Sequence, residues 1–197
     1  MAADRYNRFA ALRAAERAGV DYRIVLCRRD SPVGVIAPHG GTIEPGTSEI
    51  AAAIAGEDFS LYCFEGLRRR PHSHLHITSP RFDEPQCLGL VAACDRVVAV
   101  HGLAGRTGRT DVGGRNQVLR DGVCAALQGA GFEARIVTTG DHAAIDPRNI
   151  CNRGRQGRGV QLEVTRAQRD RLVASRARLV AFADAIRVAV ADDEADR

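Results

Sequence analysis

The chain has 197 residues. Lysine and arginine together number 28, and all 28 are arginine. The absence of lysine excludes a Schiff-base lysine, a P-loop lysine and a Ser–Lys dyad, so the chemistry must come from other side chains or a metal. The formal net charge is +4, and the last seven residues hold four of the 24 acidic residues, which leaves a basic body. A basic body favours an anionic partner, although coding bias with solvated arginine explains the same composition.

The length is typical of one globular domain, and we assign residues 1–197 to a single domain with a short acidic tail from about 191 to 197. The six cysteines occur without C-x-x-C spacing, which disfavours a zinc finger and indicates buried thiols in a reducing compartment. No segment resembles a signal peptide or a membrane span. We therefore expect a cytoplasmic protein with no membrane partner.

The predicted elements alternate between helix and strand along the chain. A short helix over residues 4–18 precedes strands over 22–27 and 33–37 and an alanine-rich helix over 47–55. The pattern then predicts strands at 59–64, 74–78, 96–100, 132–137 and 160–164, and helices at 84–93, 115–128 and after 165. This alternation predicts an α/β fold with three layers, α/β/α, around a mixed, largely parallel open sheet.

Two segments between these elements have no predicted secondary structure. Residues 103–114 are rich in glycine and arginine, and residues 138–159 form a long polar connection before the last strand. Loops of the second length in a compact domain are usually functional or disordered.

Three predicted strands end at side chains that can bind a metal ion or work beside one. His39 follows the strand 33–37, His101 follows 96–100, and Glu163 lies at the end of 160–164, while Glu44 follows His39 through a glycine-rich turn. Ligands in open α/β sheets bind outside the carboxyl ends of the strands. Two histidines and one carboxylate are a usual ligand set of hydrolytic zinc, and a further carboxylate such as Glu163 can take the proton of a water.

Each of these residues also has an ordinary interpretation. The two histidines could be loop residues with satisfied hydrogen bonds, Glu44 could be a charge near the start of a helix, and Glu163 could mark a strand end at the surface. The alternating His72, His74 and His76 would share one face of a strand, and His76 could point into the site.

Several motifs, in order along the chain, resemble those of the poly-γ-glutamate hydrolase family. They read APHGG at 37–41, IEPGTSEI at 43–50, FEG at 64–66, LHITS at 75–79, FDEP at 82–85, VHG at 100–102, VGG at 112–114, NI at 149–150, NR at 152–153 and GVQLE at 159–163. The resemblance covers about residues 5–190. The family is known from phage enzymes that degrade the γ-linked polyglutamate capsule of bacilli, and it is similar to compact zinc carboxypeptidases.

The resemblance implies one zinc ion per chain, bound by His39, Glu44 and His101, with Glu163 as the catalytic base. It implies a zinc-dependent amidohydrolase that cleaves γ-glutamyl amide bonds of poly-γ-glutamate. A phage origin would make cell lysis the route of release. The alternating histidines at 72 and 74 and the arginine-rich loop are not features that we associate with the family.

A polyglutamate substrate carries one carboxylate per residue, which arginine binds well. We expect Arg153, with Asn152, Arg115 and His76, to hold such a carboxylate. One alternative is a zinc hydrolase of small N-acyl or γ-glutamyl amides. Another is a non-enzymatic, arginine-rich protein that binds nucleic acid, which an aromatic content of 5% and the lack of a binding motif make unfavourable. The sequence gives no oligomeric state.

Overall fold

A seven-stranded sheet organises the part of the chain that the computed structural model describes, which comprises residues 4–68, 71 and 74–195, with side chains described as far as Ala191. The strands are β1 (Tyr22–Cys27), β2 (Val33–Gly41), β3 (Ser60–Gly66), β4 (Arg96–Leu103), β5 (Thr110–Gly113), β6 (Ala134–Ile136) and β7 (Val160–Thr165). The helices are α1 (Phe9–Ala15), α2 (Thr47–Ala55), α3 (Pro85–Val91), α4 (Gln117–Gly129), α5 (Arg166–Val173) and α6 (Arg176–Ala195).

The strand order across the sheet is β1-β3-β2-β4-β7-β5-β6. The pairs β3–β2, β2–β4, β4–β7 and β5–β6 are parallel, whereas β1–β3 and β7–β5 are antiparallel. The sheet is therefore mixed and largely parallel, which confirms the predicted fold class. The three central parallel strands β2, β4 and β7 are buried over most of their length, as expected for a sheet covered on both faces.

Two hydrophobic cores lie on opposite faces of this sheet, because successive side chains of a strand point to opposite sides. Along β2, Val35 joins one core and Ile36 the other. The first core contains residues of α2, α4 and α6, including Ile50, Val123 and Phe182. The second contains residues of α1 and α3, together with short 3₁₀ segments. The result is the expected three-layer arrangement, with helices on each face.

The segment 74–78 is not a strand, which corrects the sequence prediction. His74 has 3₁₀ conformation, with its backbone N–H donating to the Pro71 carbonyl oxygen (2.9 Å), Leu75 lies in a turn, and residues 76–78 have no regular secondary structure. Leu75 and Ile77 are buried in the second core, so the alternation of apolar residues is real. However, the backbone N–H of Thr78 donates to the Asp4 carboxylate (2.9 Å) instead of to a neighbouring strand. The Asp4 side chain, in the N-terminal segment, therefore accepts the hydrogen bond that a neighbouring strand would otherwise accept.

The sequence analysis also missed β5, which lies inside the segment 103–114 that was predicted to be irregular. This strand has four residues and only one large apolar side chain, Val112, so its alternation is too short to recognise. It pairs with β7 on one side and β6 on the other. Hydrogen bonds to these two neighbouring strands, and not local propensity, define it.

The six cysteines are free, and all except Cys27 are buried. Their environments agree with the predicted role as small apolar side chains. Within the described ranges, no helix combines the length and the hydropathy that a bilayer crossing requires. His72 and two members of the arginine run, Arg69 and Arg70, lie outside the described residues.

Candidate metal centre

The carboxyl ends of β2, β4 and β7 meet at one edge of the sheet. Because β4 pairs with both of its neighbours in parallel, the residues that end the three strands are brought side by side. His101 of β4 is directly opposite Glu163 of β7 in the register, and His39 lies near the end of β2. His39, His101 and Glu163 are all buried. The strand-end argument made from sequence therefore places these side chains correctly.

The turn after His39 brings Glu44 back to the edge of the sheet where His39 lies. The backbone N–H of Glu44 donates to the His39 carbonyl oxygen (2.9 Å), and the pairing of β2 with β3 shifts register between Ala37 and Gly40. Gly41 has φ +61°, and a Cβ on it would lie 2.4 Å from the carbonyl oxygen of Gly66. Glycine at this position is thus required both by the left-handed backbone and by the close approach of β3.

His39, Glu44 and His101 each present one ligand atom to a common point, and these three atoms lie within 4.8 Å of one another. His39 Nδ1 is 3.1 Å from His101 Nδ1 and 3.4 Å from Glu44 Oε1. His101 Nδ1 is 3.9 Å from Glu44 Oε2. Two ligands bound tetrahedrally at about 2 Å from zinc are about 3.3 Å apart, so this donor set fits a zinc ion.

Further hydrogen bonds fix the orientation of each of these side chains. His39 Nε2 lies 2.9 Å from the carbonyl oxygen of Ile77, which can only accept, so Nε2 carries a proton and Nδ1 is the nitrogen that a metal ion would use. His101 Nε2 lies 3.3 Å from Ser79 Oγ. Glu44 Oε2 accepts a hydrogen bond from the backbone N–H of Gly102 (2.7 Å). Such outer contacts are what hold metal-binding residues in a productive geometry.

The electrostatics of the two imidazoles favour a cation at the point between them. Burial and the neighbouring His39 lower the pKa of His101 to about 3, so its ring is neutral and its lone pair is available. Burial also acts to lower the pKa of His39, but the Glu44 carboxylate outweighs it and the pKa is raised. A buried carboxylate beside two imidazoles thus provides a negative charge that a bound cation would balance.

Glu163 is held beside these residues by a chain of two amides. The Asn149 side-chain amide donates to Gln161 Oε1 (2.9 Å), and the Gln161 amide donates to Glu163 Oε1 (2.8 Å). On the other side, His142 Nδ1 lies 3.6 Å from Glu163 Oε2, an ion-pair distance. Burial raises the pKa of Glu163, while His142 acts to lower it. A carboxyl group with a raised pKa is suited to accept and return a proton near neutral pH.

These groups line an open cavity of about 370 Å³. One wall is formed by His76, Thr78, Ser79 and Pro80, and another by residues of the long connection before β7. That connection, predicted from its length to be functional or disordered, is ordered by short 3₁₀ helices at Asp141–Ala143 and Ile150–Asn152. It contributes seven lining residues, which are Gly140, Asp141, His142, Ala144, Ile145, Asp146 and Asn149.

The predicted substrate-binding residues have different positions relative to this cavity. His76 lines it, with its ring centroid 4.0 Å from that of His39 and its Nδ1 2.7 Å from Asp4 Oδ1. Arg153, Asn152 and Arg115 do not line it.

The contacts of these three residues explain their placement. The Asn152 amide donates to the carbonyl oxygens of Ala144 and Asp146, so it shapes the connection. Arg153 lies 3.4 Å from the Phe82 carbonyl oxygen, and Arg115 donates to the Gly157 carbonyl oxygen (3.1 Å). A direct contact of these residues with a substrate stays a prediction.

The sequence analysis did not single out His142 or Gln161. Gln161 alternates with Glu163 on β7, so the same-face periodicity of a strand could have identified it. His142 had only one signal, its position in a long polar connection that precedes a charged strand end.

A model of one protein family matches residues 6–180, which is most of the chain, and that family is the poly-gamma-glutamate hydrolase family. This chain belongs to the poly-gamma-glutamate hydrolase family. The match confirms the resemblance read from the motifs. It covers His39, Glu44, His101 and Glu163, all of which lie inside the matched residues.

Two relatives from Bacillus subtilis (strain 168) are similar to this chain in sequence. The SPbeta prophage-derived UPF0714 protein YoqZ is 39% identical over 170 residues, which are 86% of this chain and 61% of YoqZ. The UPF0714 protein YndL is 39% identical over 165 residues, or 83% of this chain and 65% of YndL. The chain therefore spans a little under two thirds of the length of these curated relatives.

Solved structures with the same fold include a bacteriophage poly-gamma-glutamate hydrolase. It has a TM-score of 0.92 and 34% sequence identity, and the match covers 98% of this chain and 100% of that protein. A zinc-free apo form of YndL has a TM-score of 0.89 and 35% identity, covering 96% of this chain and 98% of that one. Both share this fold and more than 30% of the aligned residues with this chain, and the second is a zinc-free form.

Proposed function

We propose that this protein is a zinc-dependent amidohydrolase that cleaves γ-glutamyl amide bonds, with poly-γ-glutamate as its substrate. One observation carries this proposal: three ligand atoms of His39, Glu44 and His101 converge within 4.8 Å beside a buried carboxylate, Glu163. The family and the phage hydrolase of the same fold supply the substrate class. The zinc-free description of the YndL structure supports zinc as the ion.

The residues divide the chemistry between them. His39, Glu44 and His101 would hold one zinc ion per chain, and a zinc ion bound there would supply Lewis-acid chemistry, polarising the scissile carbonyl and lowering the pKa of a water toward about 7. Glu163 accepts the proton of the attacking water and delivers it to the leaving nitrogen, so that the amide bond breaks and a free amine and a carboxylate form. His142, beside Glu163 Oε2, balances the charge of the carboxylate.

The cavity would admit an extended chain, because it is open and its lining includes the exposed side chain of Ile145. His76 is the member of the predicted substrate-binding set that lines the cavity, and we assign it a direct contact with the substrate. Its Nδ1 lies 2.7 Å from Asp4 Oδ1, a contact that orients the ring. Arg153 lies outside the lining and would act on the substrate at a longer distance.

Two measurements on the purified protein test the proposal. Metal analysis is expected to give one zinc per chain, and incubation with poly-γ-glutamate is expected to shorten the polymer. A protein that holds zinc but hydrolyses only short γ-glutamyl or N-acyl amides would support the small-amide alternative. A protein without zinc that binds DNA in a salt-sensitive manner, and still does so after His39→Ala, would support the nucleic-acid alternative.

A further inference from the structure

A second cavity, of about 430 Å³, lies at the end of the sheet opposite the candidate metal centre. Its walls come from the turn before β2, from Ser60 at the start of β3, and from the end of α3 and the turn that follows it. Its charged lining residues are Arg28, Arg29, Asp30 and Arg155. Because β2 rises about 3.3 Å per residue, the seven residues from Pro32 to His39 separate the two cavities by roughly 23 Å.

Three arginines from two distant segments converge on this cavity. Arg28 Nη1 lies 3.4 Å from the carbonyl oxygen of Gly89, and Arg29 donates to the carbonyl oxygen of Phe59. Arg155 Nη1 is 3.6 Å from Asp95 Oδ1, a long ion pair between exposed or half-buried groups. A guanidinium group has five donors, so each arginine retains N–H groups that can bind another anion.

Two of these arginines line the cavity together with Cys94. Cys94 is buried, and burial raises the pKa of its thiol to about 11. The positive charges of Arg155 and Arg28 act to lower that pKa, and the charge of Asp95 acts to raise it. Arg28 from the turn before β2 and Arg155 from the connection before β7 thus line one cavity from two segments of the chain.

A further arginine, Arg153, contributes a positive charge between the second cavity and the candidate metal centre. It lies beside the carbonyl oxygen of Phe82 (3.4 Å), and it acts to lower the pKa of the Cys87 thiol in α3, seven residues before Cys94. Hydrogen bonds from Arg148 lower the pKa of Asp146, which lines the first cavity, and the positive charge of Arg153 adds to this effect. Arg153 therefore acts on groups in α3 and in the lining of the first cavity.

The charges that line the first cavity do not by themselves favour an anionic polymer. Its acidic lining residues are Glu44, Asp141, Asp146 and Glu163, and no arginine lines it within the described parts of the chain. A polymer with one carboxylate per residue would be repelled by these acids away from the metal ion. Arginine side chains that attract the chain would therefore lie outside the first cavity.

We propose that the cavity formed by Arg28, Arg29 and Arg155 binds carboxylates of a distal segment of the same poly-γ-glutamate chain that the metal centre cleaves, with Arg153 between the two sites. The proposal rests on the proposed function. Binding at two points of one chain makes the second contact intramolecular and raises the effective concentration of the scissile bond. Short oligomers cannot reach both cavities, so the second cavity does not raise their affinity.

The test compares long and short substrates on zinc-loaded protein. For the double variant Arg28→Gln/Arg155→Gln, we expect KM for long poly-γ-glutamate to rise about tenfold, within the range that linked binding sites provide. We expect kcat and the KM for γ-glutamyl di- and tripeptides to be unchanged. Arg176→Gln, at the start of α6 on the other face of the sheet, is the matched control and should leave both KM values unchanged. An equal KM for long chains in the double variant and the wild type would overturn the proposal.

A binding measurement separates this proposal from the hydrolase activity. In the Glu163→Gln background, labelled poly-γ-glutamate is expected to bind in a salt-sensitive manner and about tenfold more weakly after the two arginine substitutions. If the wild type cleaves no polymer yet the substitutions still weaken chain binding, the hydrolase proposal fails and the binding site stands. Undiminished chain binding, or a stronger loss of DNA binding than of polyglutamate binding, would overturn the site as assigned.

Discussion

The side-chain amide of Gln161 donates a 2.8 Å hydrogen bond to Oε1 of Glu163, on the same face of β7. The Gln161 carbonyl oxygen in turn accepts from Asn149 (2.9 Å), which fixes the amide so that its nitrogen and not its oxygen faces the carboxylate. One carboxylate oxygen of Glu163 is therefore occupied, and Oε2, on the side of His142, is left for chemistry.

This relationship predicts that Gln161→Leu lowers kcat without changing KM. Loss of the donor frees the carboxylate to rotate, and removal of such an outer contact usually costs 10-fold to 100-fold in activity. Steady-state kinetics on γ-glutamyl oligomers would measure the split between kcat and KM, and metal analysis would check that zinc is retained. The same substitution at Gln168, a buried glutamine of α5 outside the cavity lining, is the control and should leave kcat within about twofold. A fall in kcat of the same size at both positions would refute the positioning role.

Glu163→Gln is expected to abolish turnover and leave the metal in place. The amide keeps the size of the side chain but cannot accept a proton, and general acid–base catalysis contributes about 10² to 10⁴ in rate. Zinc content and polymer shortening should be measured on the same sample. A variant that loses its zinc would show that Glu163 has been assigned the wrong role.

Metal removal is expected to lower thermal stability, because an ion that binds only the folded state stabilises it. With free zinc at about 100 times Kd, the stabilisation is about 2.7 kcal/mol, or roughly 5–10 °C in Tm for a chain of this length. Zinc added to chelator-treated protein should raise Tm by this amount in the wild type and not in His101→Ala. His74→Ala replaces a histidine outside the cavity lining, so it should retain the response. An unaltered response in His101→Ala would exclude that residue as a ligand.

Gly41→Ala is expected to destabilise the fold and to weaken zinc binding. The new Cβ would lie 2.4 Å from the Gly66 carbonyl oxygen, and the residue has φ +61°. Left-handed backbone alone costs about 1–2 kcal/mol for alanine, and the clash adds to that cost. Gly131→Ala is the control, because it has φ +80° and nothing within 4 Å of its Cβ. Equal losses in the free energy of unfolding for the two variants would mean that the clash relaxes at no cost.

Asp111 is expected to contribute stability that is lost in acid. Burial acts to raise its pKa, but hydrogen bonds from Arg135 and Arg109 outweigh burial and hold the pKa below 3.8, the ordinary value. A lowered folded pKa gives stability that is complete above pH 3.8 and disappears as the pH falls through the folded value. The Tm difference between wild type and Asp111→Asn should therefore be largest at neutral pH and shrink below about pH 4. Asp170→Asn, at an exposed ion pair, should change Tm little at any pH. A difference for Asp111→Asn that grows in acid would reverse the sign of this argument.

The positions of the candidate metal-binding residues could be predicted from the sequence, for a simple reason. Buried parallel strands are continuous apolar runs, and in a parallel sheet their carboxyl ends lie at one edge. His39, His101 and Glu163 each follow or end such a run, so local sequence placed them at the same edge before their distances were known. The position of Glu44 could also be predicted, because only a glycine-rich turn separates it from His39.

The surroundings of the site could not be predicted in this way. The Asp4–His76 contact joins residues 72 positions apart, and the segment that carries His76 was predicted to be a strand. Its backbone hydrogen bond goes to the N-terminal segment, which no periodicity reveals. The strand β5 was missed for a related reason, since its four residues are ordered by β6 and β7 and not by their own pattern.

What the sequence by itself determined is the layered α/β fold, the family and the residue types that meet at one edge of the sheet. Hydrophobic periodicity and strand-end chemistry are local, so they can be read along the chain. Only the tertiary structure decided which nitrogen and oxygen atoms converge, that Gln161 and His142 flank Glu163, and that Arg153 lies outside the first cavity. Those arrangements depend on contacts between segments far apart in sequence, whose geometry is set by packing across the whole sheet and not by the residues nearby.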